Sequence, residues 1–289
     1  MNLPIGAHSG IPAGLYHTID AASASALRVI NSSTPAHLQW QRDKIDKPSI
    51  DLVMGTLIHS RILEPGQPLP AVAVAPETYV VPADYKGTLR DPKPGDVEPW
   101  NNRRKFCQQW RQAQEAAGLI VLEREQLDEI DRAAEAVQRN TEARELLEGA
   151  QTEVTLRWET LDGFPCKARL DIVPARGVLA DLKTTTDASP RGFAKSAFDL
   201  GYHLQAAWYL DGFDAVAEAR SGFSFIAYEK GPGLVTVHHC TRDFIDAGRE
   251  AYGTALALYR QCVENDTWPG YQSACMLDVP RWARKEALL

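Results

Sequence analysis

Asp171, Asp181 and Lys183 have the residue types and the spacing from which metal-assisted hydrolysis can be built. Side chains alternate faces along a strand. In a strand over 178–184, Asp181 and Lys183 point one way, while Val178, Ala180 and Leu182 point the other. In a strand over 165–173, Lys167, Arg169 and Asp171 share one face, and Cys166, Ala168, Leu170 and Ile172 share the opposite face. Paired as a hairpin, these two strands bring Asp171 beside Asp181 and Lys183. A strand over 153–159 repeats the pattern, with Glu153, Thr155 and Arg157 polar and Val154, Leu156 and Trp158 inward.

Close carboxylates stay ionised together only when a cation sits among them. Magnesium takes hard oxygen ligands and keeps places for water and substrate phosphate. Such an ion lowers the pKa of its water and neutralises charge as a phosphodiester is attacked. Lys183 on the same face can orient that water, or take its proton if its own pKa is depressed. The Leu182 carbonyl, between Asp181 and Lys183, is a further ligand candidate. Taken alone, Asp-x-Lys on a strand is equally the pattern of a solvated face with a weak ion pair.

These groups must be positioned by the elements around them. Residues 23–44 read as two short helices broken near Ser32-Ser33-Thr34-Pro35, with Thr34 capping the second. Residues 51–63 form an apolar helix ended by Pro65-Gly66. A short strand is expected over 71–75 and a long loop over 82–100. Helices follow over 101–117, 124–139 and 141–147. After the three strands come a helix over 200–213, strands over 223–228 and 234–239, and a long amphipathic helix over 241–264. The expected organisation is one domain over 1–289. Its mainly helical part is 1–150 and its sheet core is 151–289.

The chain has 289 residues, ordinary apolar and charged fractions, and a net charge of −7. An acidic balance disfavours a protein that coats nucleic acid non-specifically. It is compatible with a carboxylate-lined site beside a local basic track. The five cysteines are scattered and never in Cys-x-x-Cys spacing, so no disulfide framework or iron–sulfur site is expected. His238-His239-Cys240 is the one dense group of soft ligands, and a strand end explains it as well. No apolar run is long enough to span a membrane, and residues 1–10 lack the marks of a signal peptide, so a cytoplasmic protein is expected.

Asp171 followed by Asp181-Leu182-Lys183 resembles the signature of the PD-(D/E)XK nuclease superfamily. Gln205 and Tyr209, four residues apart on one helix face, resemble the Gln-x-x-x-Tyr motif of its RecB-like branch. Gly55-Thr56-Leu57-Ile58-His59 is similar to the Gly-x-x-x-His motif of that branch, where the absent Gly55 side chain leaves room beside the imidazole. Further segments resemble RecE-type exonucleases (exodeoxyribonuclease VIII). They are Ser23-Ala24-Ser25-Ala26-Leu27, Ser33-Thr34-Pro35-Ala36-His37, Leu63-Glu64-Pro65, Asp266-Thr267-Trp268-Pro269 and Pro280-Arg281-Trp282-Ala283. The likeness runs from about residue 15 to 285 and lapses over 82–117.

This resemblance implies an α/β fold: a restriction-endonuclease-like core with a mixed central sheet flanked by helices and a helical N-terminal elaboration. It implies that Asp171 and Asp181 bind the metal with His59 and the Leu182 carbonyl, and that Glu153 serves a second metal position or an outer role. Lys183 would position the attacking water, and Gln205 and Tyr209 would contact the scissile strand or orient Lys183. Arg169 is a candidate DNA contact or a partner in a structural ion pair. The implied cofactor is Mg2+, with Mn2+ able to substitute. The implied reaction is 5′→3′ degradation of linear double-stranded DNA. The resulting 3′ overhang passes to a RecT-type annealing protein during recombination. A ring-shaped homo-oligomer and a phage or prophage origin are further implications. The alternatives are another nuclease on the same fold, whether an endonuclease or a single-strand exonuclease, and a non-catalytic DNA-end scaffold.

Overall fold

The computed structural model describes residues 3–44, 48–86, 92–175 and 177–279. The segment Pro280-Arg281-Trp282-Ala283 lies outside them, as does part of the 82–100 loop.

The chain begins with β1 (Gly6–His8), α1 (Ala13–His17), β2 (Ala22–Ser23), α2 (Ala24–Ser32), α3 (Pro35–Asp43) and α4 (Ile50–Leu63). Then come β3 (Val72–Val74), β4 (Thr78–Val80), β5 (Val97–Pro99), α5 (Lys105–Ala116), β6 (Ile120–Leu122), α6 (Arg124–Arg139) and α7 (Thr141–Leu147). The second half holds β7 (Gln151–Glu159), β8 (Pro165–Val173), β9 (Leu179–Thr185), α8 (Pro190–Asp199), α9 (Tyr202–Asp214), β10 (Phe223–Glu229), β11 (Leu234–His239) and α10 (Arg242–Asn265).

Among the described residues the main sheet runs β1-β7-β8-β9-β10-β11, with β2 also pairing β8. The β7–β8 and β8–β9 pairs are antiparallel, as the hairpin expectation required. The β9–β10 pair is parallel, so α8 and α9 form the crossover between them. Helices cover both faces. On one face Leu156, Trp158, Cys166, Ala168, Leu170, Leu179 and Phe225 pack with residues of α2, α9 and α10. On the other, Ile172, Ala180, Leu182, Ile226 and Tyr228 pack with residues of α4 and α6. The helical first half therefore closes over the sheet of the second half.

One face assignment is corrected. Ile172 does not continue the row of Cys166, Ala168 and Leu170; it packs on the opposite side, under α4 and α6. The row breaks where Glu153 stands opposite Asp171. Glu153 has φ +56, and this is the level at which the β7–β8 pairing skips a pair. A left-handed residue turns the strand and reverses which face its neighbours present. On the far side of the break, the Thr152 hydroxyl donates to the Leu63 carbonyl at 2.8 Å and ties β7 to the end of α4.

Helix α8 was not expected. Its signal was present, since Ser189 caps it through the Gly192 amide and Pro190 opens its first turn. The 82–100 loop contains β5, which pairs with β4. Thr34 is the N-cap residue of α3, but its hydroxyl bonds the His37 ring at 2.8 Å instead of a helix amide.

Candidate active site and metal centre

Asp181 lies in the middle of β9 and is fully buried. A buried carboxylate needs partners on both oxygens. Gln205 Nε2 donates to Oδ1 at 2.7 Å, and the Lys183 ammonium stands 2.5 Å from Oδ2. Lys183 also lies over the Tyr202 ring, 4.7 Å from its centroid. Burial pulls the Lys183 pKa down, but Asp181, Asp171 and Tyr202 raise it more, so the net shift is upward. Lys183 is therefore an ammonium in this arrangement, and the depressed pKa needed for a general base is not found.

Gln205 and Tyr202 come from the first turn of α9, which starts after Gly201 at φ +69. A glycine there lets the chain reverse from α8 into α9 without steric cost. Tyr209 follows Gln205 by one turn. Burial holds its phenol far above the ordinary range, with Tyr16, Asp181 and Asp171 adding to the shift and a hydrogen bond with Gln205 opposing it.

A second group lies beside the first. Ser49 caps α4 by accepting from the Leu52 amide, and the helix carries His59 to the sheet. His59 Nδ1 lies 3.4 Å from Asp171 Oδ2, which accepts from the Leu182 amide at 3.1 Å. The Leu182 main chain also bonds His59. Glu153 completes the set. One ligand atom each from His59, Glu153 and Asp171 lies within 4.8 Å of the others. A left-handed non-glycine residue costs about 1–3 kcal/mol. The ion pair between Glu153 and Arg169 holds the Glu153 carboxylate in place at this strained position.

The electrostatics fit a cation. Burial raises the Asp171 pKa well above the carboxylate range, and Asp181 and Glu153 raise it further against Lys183. Burial and the Lys183 charge lower His59 to about 4, leaving a neutral imidazole with a free lone pair. A divalent cation among these donors would relieve the charge conflict at Asp171 and use the neutral imidazole. The carboxylates suit magnesium or manganese, while the imidazole leans toward a transition ion.

The structure therefore gathers the expected residues into two adjoining sets. His59, Glu153, Asp171 and Leu182 form one; Asp181, Lys183, Gln205 and Tyr209 form the other. Asp181 stands outside the three-residue metal group; its Oδ1 accepts from Gln205 and its Oδ2 is ion-paired with Lys183. Arg169 bonds Glu153 and the Ile11 carbonyl, the latter at 2.6 Å, so the structural ion pair is formed. The sets open on a cavity of about 410 Å3 lined by Gly55, His59, Glu153, Lys183 and Tyr202.

The Gly55 expectation is corrected. A Cβ built there would meet Thr184 Oγ1 at 3.7 Å and nothing of the imidazole. That is an ordinary van der Waals contact, so the missing side chain is not what seats His59. The role of Tyr202 was missed. Tyr202 stands three residues before Gln205, and only the fold reveals a lysine over its ring. His238 and His239 bond the Ala188 carbonyl and the Ser224 and Glu142 side chains, as expected of a strand end.

A mixed sheet flanked by helices, with Asp171 and Asp181-Leu182-Lys183 on neighbouring strands, defines the PD-(D/E)XK fold. Nucleases of this class use divalent metals. Residues 23–277 match the family described as a PDDEXK-like domain of unknown function, DUF3799, and the chain belongs to that family. A crystal structure of a candidate exonuclease from Eubacterium rectale superposes with a TM-score of 0.62. That likeness covers 94% of this chain and 96% of the other at 12% identity, and it shows the fold. The structure of SSO0001 reaches a TM-score of 0.28 over 49% of this chain and 68% of that one, at 14% identity. No curated protein sequence matches the chain. No helix among the described residues is long and apolar enough to cross a membrane.

Proposed function

We propose that this protein is a metal-dependent exodeoxyribonuclease of the RecE type. It consumes linear double-stranded DNA in the 5′→3′ direction and leaves 3′ single strands for recombination by annealing. The observation that carries the hydrolase reading is the grouping of His59, Glu153 and Asp171 next to the Asp181–Lys183 pair, with His59, Glu153 and Lys183 lining one cavity. The exonuclease class is supported by the RecE-like segments flanking these motifs. The annealing-protein partner, the ring-shaped oligomer and the phage or prophage origin rest on the same resemblance, and the cytoplasmic setting on the sequence of residues 1–10 and the lack of a membrane-length apolar run.

His59, Glu153 and Asp171 would hold the ion, Mg2+ by preference, with the Leu182 main chain and Asp181 at its border. When bound, the ion supplies charge neutralisation and a lowered pKa for water. Lys183 donates hydrogen bonds to an oxygen of the attacking water or the phosphodiester, and so orients that group without removing a proton from it. Asp181 fixes the lysine, Gln205 fixes Asp181, and the Tyr202 ring limits the lysine to one direction. Burial of these partners gives the preorganisation that electrostatic catalysis requires.

The test is digestion of linear and covalently closed circular duplexes, labelled separately at 5′ and 3′ ends, with and without Mg2+. The native protein should consume linear DNA from 5′ ends only with the metal, and Lys183→Ala should be inactive. Nicked circles would remove the exonuclease assignment and keep the nuclease site. Binding without cleavage under every divalent metal would replace the enzyme with a DNA-end scaffold.

A further inference from the structure

A second cavity, of about 330 Å3, lies between α2 and the α8–α9 junction. Arg28, Phe198 and Leu200 line it, with Ser25 and Asn31 at its polar edge. The cavity does not stand apart from the catalytic one. Tyr202 lines the catalytic cavity and a smaller one beside it, and Leu200 lines that smaller cavity and this one. Three cavities thus neighbour one another in series, from Lys183 past Tyr202 and Leu200 to Arg28.

Arg28 is not accounted for by the fold. Its Nε is buried with no hydrogen-bond partner, and Arg28 makes no ion pair among the described residues. Its guanidinium lies over the Tyr202 ring at 5.2 Å, the ring that also faces Lys183. Asp199, the one acid lining the cavity, is engaged by Lys195. A buried guanidinium nitrogen without an acceptor is costly, and the planar fork suits a phosphate.

Phe198 supplies a second recognition element. One side of its ring stacks on His203, with centroids 4.2 Å apart and planes 9° apart. The residue remains 54% exposed. An aromatic ring held flat from beneath and open above is a surface on which a base can stack. Cation and ring in one cavity, related to the candidate catalytic cavity through shared lining residues, match the two faces of a nucleotide.

We propose that this cavity is a nucleotide subsite for the strand being cut. Arg28 takes a phosphodiester oxygen, and Phe198 stacks the base a short distance along the strand from the scissile bond. The proposal rests on the nuclease reading and adds to it a site outside its catalytic and metal-binding residues.

The experiment measures binding of the full chain to an end-labelled DNA duplex across a salt series, with Ca2+ replacing Mg2+, beside cleavage of the same DNA in Mg2+. Phe198→Ala should weaken binding about tenfold. Arg28→Ala should weaken it and reduce the slope of log affinity against log salt by about one. Arg28→Lys should restore the slope. Phe198 is half exposed, so its variant tests the subsite even if Arg28→Ala misfolds. Unchanged affinity in Phe198→Ala, or an unchanged slope in a folded Arg28→Ala, while the native protein binds and cuts, overturns the subsite and spares the nuclease reading. A native protein that neither binds nor cuts DNA overturns both.

Discussion

Gln205 Nε2 donates to Asp181 Oδ1 at 2.7 Å, and the bond joins α9 to the middle of β9 where both residues are buried. It decides which Asp181 oxygen faces Lys183. Replacing Gln205 by Leu leaves a buried carboxylate oxygen without a donor, at a cost of about 1–3 kcal/mol. Urea unfolding should show that loss. Under the nuclease reading, cleavage should fall in the same variant, because the Asp181–Lys183 pair is no longer held. Full stability and full activity together would show that the bond positions nothing.

Metal binding should release protons. Burial, Asp181 and Glu153 raise the Asp171 pKa, so the metal-free site holds a proton more tightly than a free carboxyl, and a cation must compete with it. Titration calorimetry with Mn2+ in buffers of differing ionisation enthalpy should show this release, and affinity should rise with pH. Asp171→Asn should abolish both the release and most of the binding. A heat that is the same in every buffer would contradict the protonated site.

Two glycines of α10 should respond in opposite directions to the same change. A Cβ at Gly248 would lie 2.0 Å from the His203 carbonyl oxygen, because α10 crosses α9 there. Gly248→Ala should destabilise by about 1–3 kcal/mol or more through overpacking. Gly253 has nothing within 4 Å of such a Cβ. Gly253→Ala should stabilise by about 0.5–1 kcal/mol through helix propensity. Denaturant melts of the two variants give both signs directly.

Acid should weaken the fold through its buried histidines. Burial lowers the pKa of His203, with Arg28 adding to the effect, and burial likewise leads the lowering at His17 and His238. The unfolded chain takes up protons as pH falls through about 6.5, while the folded chain resists. Stability is then fully present above that pH and declines as pH falls toward the folded values. Thermal melts across pH 5 to about 7.5 should show this slope, and His203→Asn should flatten it. A slope unchanged by the variant would remove His203 from the account.

The long periodic elements were legible in the sequence. The strands over 151–159, 165–173 and 179–185 and the helix over 242–265 follow from apolar spacing and turn signals. So did the approach of Asp171 to Asp181 and Lys183, because an antiparallel pair fixes it. Three features were hidden for physical reasons. The face reversal at Glu153 depends on a left-handed backbone that no residue type there announces. The division of the carboxylates into a metal group and a lysine-bound Asp181 depends on side-chain directions set by α4 and α9. The place of Arg28 depends on α2 meeting the start of α9, a contact between segments far apart in the chain.

The first twenty residues reach the chemistry through their main chain. Lys167 donates to the Tyr16 and Ile19 carbonyls, and Arg169 donates to the Ile11 carbonyl while holding Glu153. Carbonyls carry no sequence identity, but the segment also sets the Tyr16 ring against the Lys167 ammonium, 4.8 Å from the ring centroid. It cannot be shortened. A version of the protein trimmed to start at Ala22 would strip the acceptors from two cations of β8 and free Arg169 to swing, loosening Glu153 at a distance. Trimming this segment to ease crystallisation would therefore alter the candidate site itself.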